Sequence, residues 1–306
     1  MKIVFLDAST LGADADLSPL KSKGCLTVYD STPPEFVKER IAGAEVVIVN
    51  KVLITKDIID SSLTLKRICV AATGVNNVDT AYANSRGILV LNVSGYSTKS
   101  VTQITFSSLL SLASNIARHD MAVKSGEYTK GGIFTWLGAP FFELSGKSMG
   151  IIGMGAIGQE VASVATALGM EVNYFSTSGT SHCNKYSSLT LDQILRYSDV
   201  ISIHAPLNEK TLGLIGKNEL EKMKRTSFLI NMGRGGIVNE HDLADAIDKE
   251  TIAGAAIDVF SVEPLPFDHP FLKIKKSDHL ILTPHIAWTS IEARKTLIEG
   301  IAANIG

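Results

Sequence analysis

Three residues far apart along the chain could together do chemistry on a carbonyl: Arg234, Glu263 and His285. Each stands in a polar stretch directly after an apolar run. Arg234 lies in Asn231-Met232-Gly233-Arg234-Gly235-Gly236 and Glu263 in Asp258-Val259-Phe260-Ser261-Val262-Glu263-Pro264. His285 lies in Thr283-Pro284-His285-Ile286-Ala287-Trp288, and a fourth such stretch is His204-Ala205-Pro206-Leu207. If the apolar runs are parallel strands, these stretches sit at carboxyl ends, where open α/β sheets bind ligands. The trio suits hydride transfer to a 2-oxo acid. Negative charge grows on the ketone oxygen as hydride arrives, so a positioned acid must supply a proton, and imidazole does this best near neutral pH. A planar guanidinium can hold a carboxylate or the polarised oxygen. A carboxylate at Glu263 beside His285 would favour the imidazolium. Taken singly, each has a plainer explanation: a histidine before an aliphatic run is usually structural, and an arginine between glycines can simply be solvated. Only the set points to catalysis.

The element that would bring a hydride donor to this trio is residues 147–176. Apolar residues 149–152 read as a short buried strand, followed at once by Gly153-Met154-Gly155-Ala156-Ile157-Gly158. In such a G-x-G-x-x-G turn the first glycine makes the tight bend, the second admits a pyrophosphate to the backbone, and the third lets helix pack on strand. Ile157, Val161, Val164, Ala165 and Leu168 then fall on one helix face, and residues 172–175 read as a second strand. Free amides and the positive dipole end at that helix start suit a phosphate. A carboxylate that binds the ribose of NAD is expected about 20 residues on. That place holds Ser176, Thr177 and Ser178 instead, with neither an acid to repel a 2′-phosphate nor an arginine to attract one. Both NAD and NADP stay open.

At 306 residues the chain has room for two cores. Its hydrophobic content of 45% and charged content of 20% are those of a globular, soluble protein. A net charge of −2 argues against a nucleic-acid surface. No apolar run approaches a membrane span, and the strand-like residues 2–7 do not resemble a signal peptide. Cys25, Cys69 and Cys183 have no C-x-x-C spacing. They are expected to be reduced, buried thiols of a cytoplasmic protein, with no metal site.

The first third alternates expected strands (3–6, 26–29, 46–49, 68–72, 88–91) with helical spacing at 34–41 and 56–63, which calls for a parallel sheet covered on both faces. No glycine fingerprint follows its first strand. Asn50-Lys51-Val52-Leu53 and Thr73-Gly74-Val75-Asn76-Asn77-Val78-Asp79 each end a strand. Amides in the second could form an anion site, although composition alone favours an ordinary turn. Residues 100–117 read as one long helix. The Gly-rich residues 119–140, with Phe134, Trp136 and Leu137, read as an arm or a covered loop. Further strands are expected at 200–203, 228–230, 255–259 and 280–282, and a terminal helix at 291–305.

The ordered set Gly153-x-Gly155-x-x-Gly158, Asn231-Met232-Gly233-Arg234-Gly235, Asp258-Val259-Phe260 with Glu263-Pro264, and Thr283-Pro284-His285-Ile286-Ala287-Trp288 resembles the D-isomer-specific 2-hydroxyacid dehydrogenases over nearly the whole chain. Within that family, Asn50-Lys51-Val52-Leu53, Arg118-His119-Asp120 and His285-Ile286-Ala287-Trp288 are most similar to the glycerate dehydrogenases, or hydroxypyruvate reductases. The resemblance implies an α/β protein of two doubly wound parallel-sheet domains. One is a flavodoxin-like substrate domain at 1–99 plus 284–306, and the other an inserted Rossmann cofactor domain at 100–283. It implies that His285 is the acid/base, paired with Glu263, and that Arg234 binds substrate. The backbone at Thr73, Gly74 and Val75 would take the substrate carboxylate, reversing the plain turn favoured above, while Leu53 and Trp288 would set pocket size. Asp258 would meet the nicotinamide carboxamide. The expected cofactor contacts are residues 153–158 and 176–178 with His204, Ala205, Pro206, Thr211, Asn231, Met232, Gly233, Asp258, His285 and Ala287. The long helix and its arm would form a homodimer. Two departures stand out: Ser176 replaces the usual acid, and Ile104 follows Gln103 where many relatives have histidine.

The expected activity is thus NAD(P)H-dependent reduction of a small 2-oxo acid, hydroxypyruvate first, to the D-hydroxy acid. Specificity for lactate, glyoxylate or branched-chain acids is the neighbouring reading. Formate dehydrogenase fits less well, since its histidine partner is typically Gln. A dinucleotide-sensing regulatory module is the alternative of a different class.

Overall fold

The computed structural model describes residues 1–180 and 183–306 and divides into two compact units, Met1–Ser97 with Trp288–Gly306, and Thr98–Ala287. Residues 284–287, expected with the first domain, join the second. The reason is local: the Asp258 carboxylate accepts from the amides of Ile286 and Ala287, and Ser100 Oγ donates to the Ala287 carbonyl.

In the first unit, five parallel strands, β1 (Lys2–Phe5), β2 (Cys25–Val28), β3 (Val46–Val49), β4 (Arg67–Val70) and β5 (Leu89–Asn92), run in the order β2-β1-β3-β4-β5. This is the flavodoxin-like order. Central β3 is Val-Val-Ile-Val and buried throughout, whereas edge strands β2 and β5 keep exposed positions. Successive side chains point to opposite faces. Thus Val4, Leu6, Val47 and Val49 enter one core, and Ile3, Phe5, Val46 and Ile48 the other. The second core is closed by helix Ile291–Ile305, capped by Ser290 and burying Leu297, Ile298, Ile301 and Ile305.

The second unit has seven parallel strands: β6 (Ser148–Ile152), β7 (Glu171–Phe175), β8 (Ser187–Ser188), β9 (Val200–Ile203), β10 (Phe228–Asn231), β11 (Gly254–Ile257) and β12 (Leu280–Leu282). Their order, β12-β11-β10-β9-β6-β7-β8, is the Rossmann order extended by one strand. The order reverses between β6 and β9, so the loops leaving these two strands flank the topological switch point.

Several elements differ from expectation. The helix expected at 100–117 runs Thr98–Ser114 and then breaks at Asn115, whose φ of 48° is left-handed; a second helix follows at Ile116–Lys124. Asparagine tolerates that conformation, and the Asn115 side-chain Nδ2 donates to the Pro140 carbonyl at 2.7 Å. Residues 34–41 split into a 3₁₀ turn, Pro34–Phe36, and a short helix, Val37–Arg40. The arm is partly helical, through Lys124 and again at Glu127–Lys130. All three cysteines are free, but only Cys69 is buried, its thiol pushed up to about 12 by burial; Cys25 is exposed and Cys183 intermediate. Among the described residues, no helix is long and apolar enough to cross a membrane.

Candidate active site

The three glycines after β6 have three different surroundings. Gly153 has a φ of +94°, and a Cβ there would lie 2.8 Å from the Ala205 amide nitrogen, so the loop after β6 closes directly on the loop after β9. A Cβ on Gly158 would lie 2.2 Å from the Gly153 carbonyl oxygen. Gly155 is the opposite case: a Cβ there meets no protein atom within 4 Å. Helix Ala156–Ala167 starts beside it without a side-chain cap. Among the described residues, the amides of Gly155, Ala156, Ile157 and Gly158 make no backbone hydrogen bond. Open space, unspent donors and a helix dipole at one point fit the pyrophosphate of a dinucleotide.

A cleft of about 410 Å³ continues from that point, lined by Gly153, Met154, Gly155, Gln159, Ser176, Thr177, Ser178, His204, Pro206 and Asn208. Its wall at 176–178 carries hydroxyls: Ser176 Oγ donates to the Thr180 carbonyl and lies 3.1 Å from Ser178 Oγ. His204 bonds Ser202 Oγ through Nε2 at 2.8 Å, and its buried Nδ1 has no partner among the described residues. Burial pushes this imidazole down to about 3, so it is neutral at ordinary pH.

Two alanine substitutions should therefore behave oppositely. Gly158→Ala overpacks a closed contact and should destabilise the protein by about 1–3 kcal/mol. Gly155→Ala should leave the melting temperature unchanged yet weaken dinucleotide binding by roughly tenfold, about 1.4 kcal/mol. Thermal melts and dinucleotide fluorescence titrations of both variants check this. Equal losses of stability would contradict it.

Farther along the sheet, Glu263 and His285 meet. Nδ1 of His285 lies 2.7 Å from Glu263 Oε2, with the two side chains 22% and 30% exposed. An ionised carboxylate only accepts, so Nδ1 carries the proton and Nε2 is left for another partner. Glu263 is itself held by the Phe260 amide on Oε1 at 3.0 Å. His285 has a φ of 54°, rare for a residue with a side chain. Its backbone is tied down by Asp258: the His285 amide donates to the Asp258 carbonyl, and Thr283 Oγ1 and the Ile286 and Ala287 amides donate to the carboxylate. The turn bearing Arg234 packs on the turn bearing Glu263, since a Cβ on Gly235 would strike the Phe260 carbonyl at 2.0 Å. Arg234 Nη1 donates to the Gly233 carbonyl at 2.8 Å, the guanidinium's one hydrogen bond among the described residues.

Three residues expected at the cofactor also make hydrogen bonds within the protein. The Asp258 carboxylate faces inward, 1% exposed, and desolvation raises its pKa against the hydrogen bonds that lower it. Thr211 is fully buried and spends its hydroxyl on the Pro206 carbonyl and the Asn208 amide, bracing the loop that lines the cleft. Asn231 folds its own turn, donating to the Arg234 carbonyl and accepting from the Gly233 amide. Met232, Ala205 and Ala287 are buried as well.

A family model for the D-isomer specific 2-hydroxyacid dehydrogenase NAD binding domain matches residues 106–287. The chain belongs to the D-isomer-specific 2-hydroxyacid dehydrogenases. It is an NAD(P)-dependent oxidoreductase of that family. Its sequence is 37% identical over 305 residues to the glycerate dehydrogenase of Methylorubrum extorquens, covering 99% of this chain and 95% of that protein. It is 36% identical over 310 residues to the hydroxypyruvate reductase of Blautia hydrogenotrophica, with 99% and 95% covered. A solved acyclic imino acid reductase in complex with NADPH and D-Arg superposes with a TM-score of 0.88 at 26% identity, covering 100% of this chain and 96% of that one.

In the dehydrogenase's first unit, Leu53 is exposed and Trp288 packs edge-on against Tyr96 at 6.2 Å. Among the described residues the amides of Thr73, Gly74, Val75 and Asn76 donate no backbone bond, as an anion site requires. Asp7, Gln159 and Asn208 were not singled out from sequence. Asp7 is 5% exposed, and its carboxylate accepts from the Asn50, Lys51 and Val52 amides, fixing the turn that presents Leu53. An aspartate closing an apolar strand was the available signal. Gln159 and Asn208 offered none.

Proposed function

We propose that this dehydrogenase reduces a small 2-oxo acid, hydroxypyruvate first, to the D-2-hydroxy acid, with His285 as acid/base, Glu263 as its partner and Arg234 as substrate ligand. The observation that carries the reading is the 2.7 Å bond from Glu263 to Nδ1 of His285, which fixes the ring and frees Nε2. The glycerate dehydrogenase and hydroxypyruvate reductase relatives support the substrate class. The dinucleotide, when bound, supplies the hydride. His285 gives its Nε2 proton to the ketone oxygen as charge develops there. Glu263 keeps the ring in one tautomer and stabilises the imidazolium that precedes proton transfer. Arg234, with donors to spare, holds the substrate through its fork. The first unit's own support for the reading is the turn at Thr73, Gly74 and Val75, whose amides suit a carboxylate, with Leu53 and Trp288 its candidates for limiting substrate size.

The hydroxyl wall at 176–178 supports acceptance of both NAD and NADP. It offers no carboxylate to a 2′-phosphate and no guanidinium to demand one. A homodimer is supported by the apolar surface on the segment after Asn115, where Ile116, Met121, Val123, Ile133, Phe134 and Leu137 are exposed.

The test is a panel of hydroxypyruvate, glyoxylate, pyruvate and branched 2-oxo acids with NADH and with NADPH, followed at the nicotinamide absorbance. Hydroxypyruvate should give the highest kcat/KM, and the two cofactors should differ by less than about 100-fold, or about 2.7 kcal/mol. A strict preference beyond that would sink the cofactor reading. No turnover of any acid, beside tight dinucleotide binding, would favour a sensing module.

A further inference from the structure

The turn that presents Glu263 packs on Gly235 only at its start, and residues 261–264 are all exposed. Its anchor is a second histidine–carboxylate pair, which the mechanism above does not use. Glu240 opens helix Glu240–Asp248, and His269 follows β11. Nε2 of His269 lies 3.0 Å from Glu240 Oε2, with side chains 7% and 12% exposed. The Phe271 amide donates to His269 Nδ1 at 3.3 Å, so Nδ1 accepts and the ring proton sits on Nε2, donated to Glu240. Phe260 and Phe271 flank the ring at 6.2 and 4.8 Å. The other oxygen, Glu240 Oε1, accepts from the Ser261 amide at 2.7 Å. The neighbouring Phe260 amide holds Glu263 Oε1, and Glu263 Oε2 holds His285.

We propose that Glu240 and His269 are positioning residues for the acid–base pair: His269 orients the Glu240 carboxylate, which pins the Ser261 amide and so fixes where Phe260 delivers Glu263 to His285. The proposal rests on the reading of His285 as the acid/base. Charge-assisted bonds from a buried, oriented carboxylate are strong, and a buried network is rigid only when every member is satisfied. Misplacing a reacting group by about 1 Å can cost on the order of 100-fold.

Two substitutions divide the functions of His269. His269→Asn keeps an acceptor for the Phe271 amide but cannot reach Glu240. His269→Gln can place an N–H₂ near the Nε2 position and gives up the bond to Phe271. In the purified full-length protein, His269→Asn should lower kcat roughly 10- to 100-fold with the dinucleotide KM little changed, while His269→Gln should recover most of the wild-type kcat. Equal kcat in the two variants, whether both impaired or both active, overturns the proposal. Should His269→Asn fail to fold, Glu240→Gln decides, because whichever way the carboxamide turns, its N–H₂ meets a donor. Reduced kcat supports the proposal and wild-type kcat overturns it. His285→Ala is run beside them: if that variant is fully active, the acid/base reading itself has failed, whereas an inactive His285→Ala with unaffected His269 variants sinks this inference alone.

Discussion

His285→Ala is expected to lower kcat for 2-oxo acid reduction by about 10²–10⁴, the usual contribution of a positioned acid. Dinucleotide binding should change little, since the cleft at Gly155 and Ser176 does not include His285. The mutation removes the proton donor at the ketone oxygen and leaves Glu263 without the ring it holds. A pH series on the wild type tests the same assignment from the other side. Reduction takes up a proton along with the hydride, so its rate should fall as pH rises. Oxidation of the D-hydroxy acid gives that proton up to a base, so its rate should fall as pH drops. His204 cannot mimic this, because burial holds it near 3 and it stays neutral across the assay range. Wild-type turnover in His285→Ala, or the same pH trend in both directions, would remove His285 from the mechanism.

What the sequence disclosed about this site follows a physical line. Gly153 and Gly158 were legible because a left-handed φ or a 2.2 Å approach excludes every side chain, and that exclusion is written as residue type. The buried strands were legible because Val46–Val49 or Val200–Ile203, covered on both faces, must be continuously apolar. The pairing of Glu263 with His285 came from resemblance, since 22 positions separate them and no local pattern links them. Asp258 and Thr211 were placed at the cofactor by resemblance alone, because residue type does not say where a strand-end or loop side chain points. Whether such a side chain faces a ligand or ties its own loop depends on which amides the fold leaves unpaired. The break at Asn115 was invisible for a related reason: apolar spacing continues through Ile116, and only the acceptor at Pro140 makes the left-handed turn worthwhile.

Arg234 gives the sharpest test of the remaining member of the trio. Its guanidinium makes one bond among the described residues, to the carbonyl of Gly233, so most of its five donors are unspent within the protein. A residue kept only to brace its turn would need no more than that one donor. Losing two charge-assisted bonds to an anionic substrate, at about 1.5–3 kcal/mol each, should lower kcat/KM of Arg234→Ala for the 2-oxo acid by about 10²–10⁴. Arg234→Lys keeps the charge but not the planar fork, and should fall between the two. Steady-state kinetics with the 2-oxo acid varied at saturating dinucleotide measures this directly. The KM for dinucleotide should stay near wild type in both variants, which separates loss of a substrate ligand from collapse of the turn that Asn231 folds. If Arg234→Ala retained wild-type kcat/KM, the guanidinium would be a loop brace. The reaction would then have to find its anion ligand elsewhere.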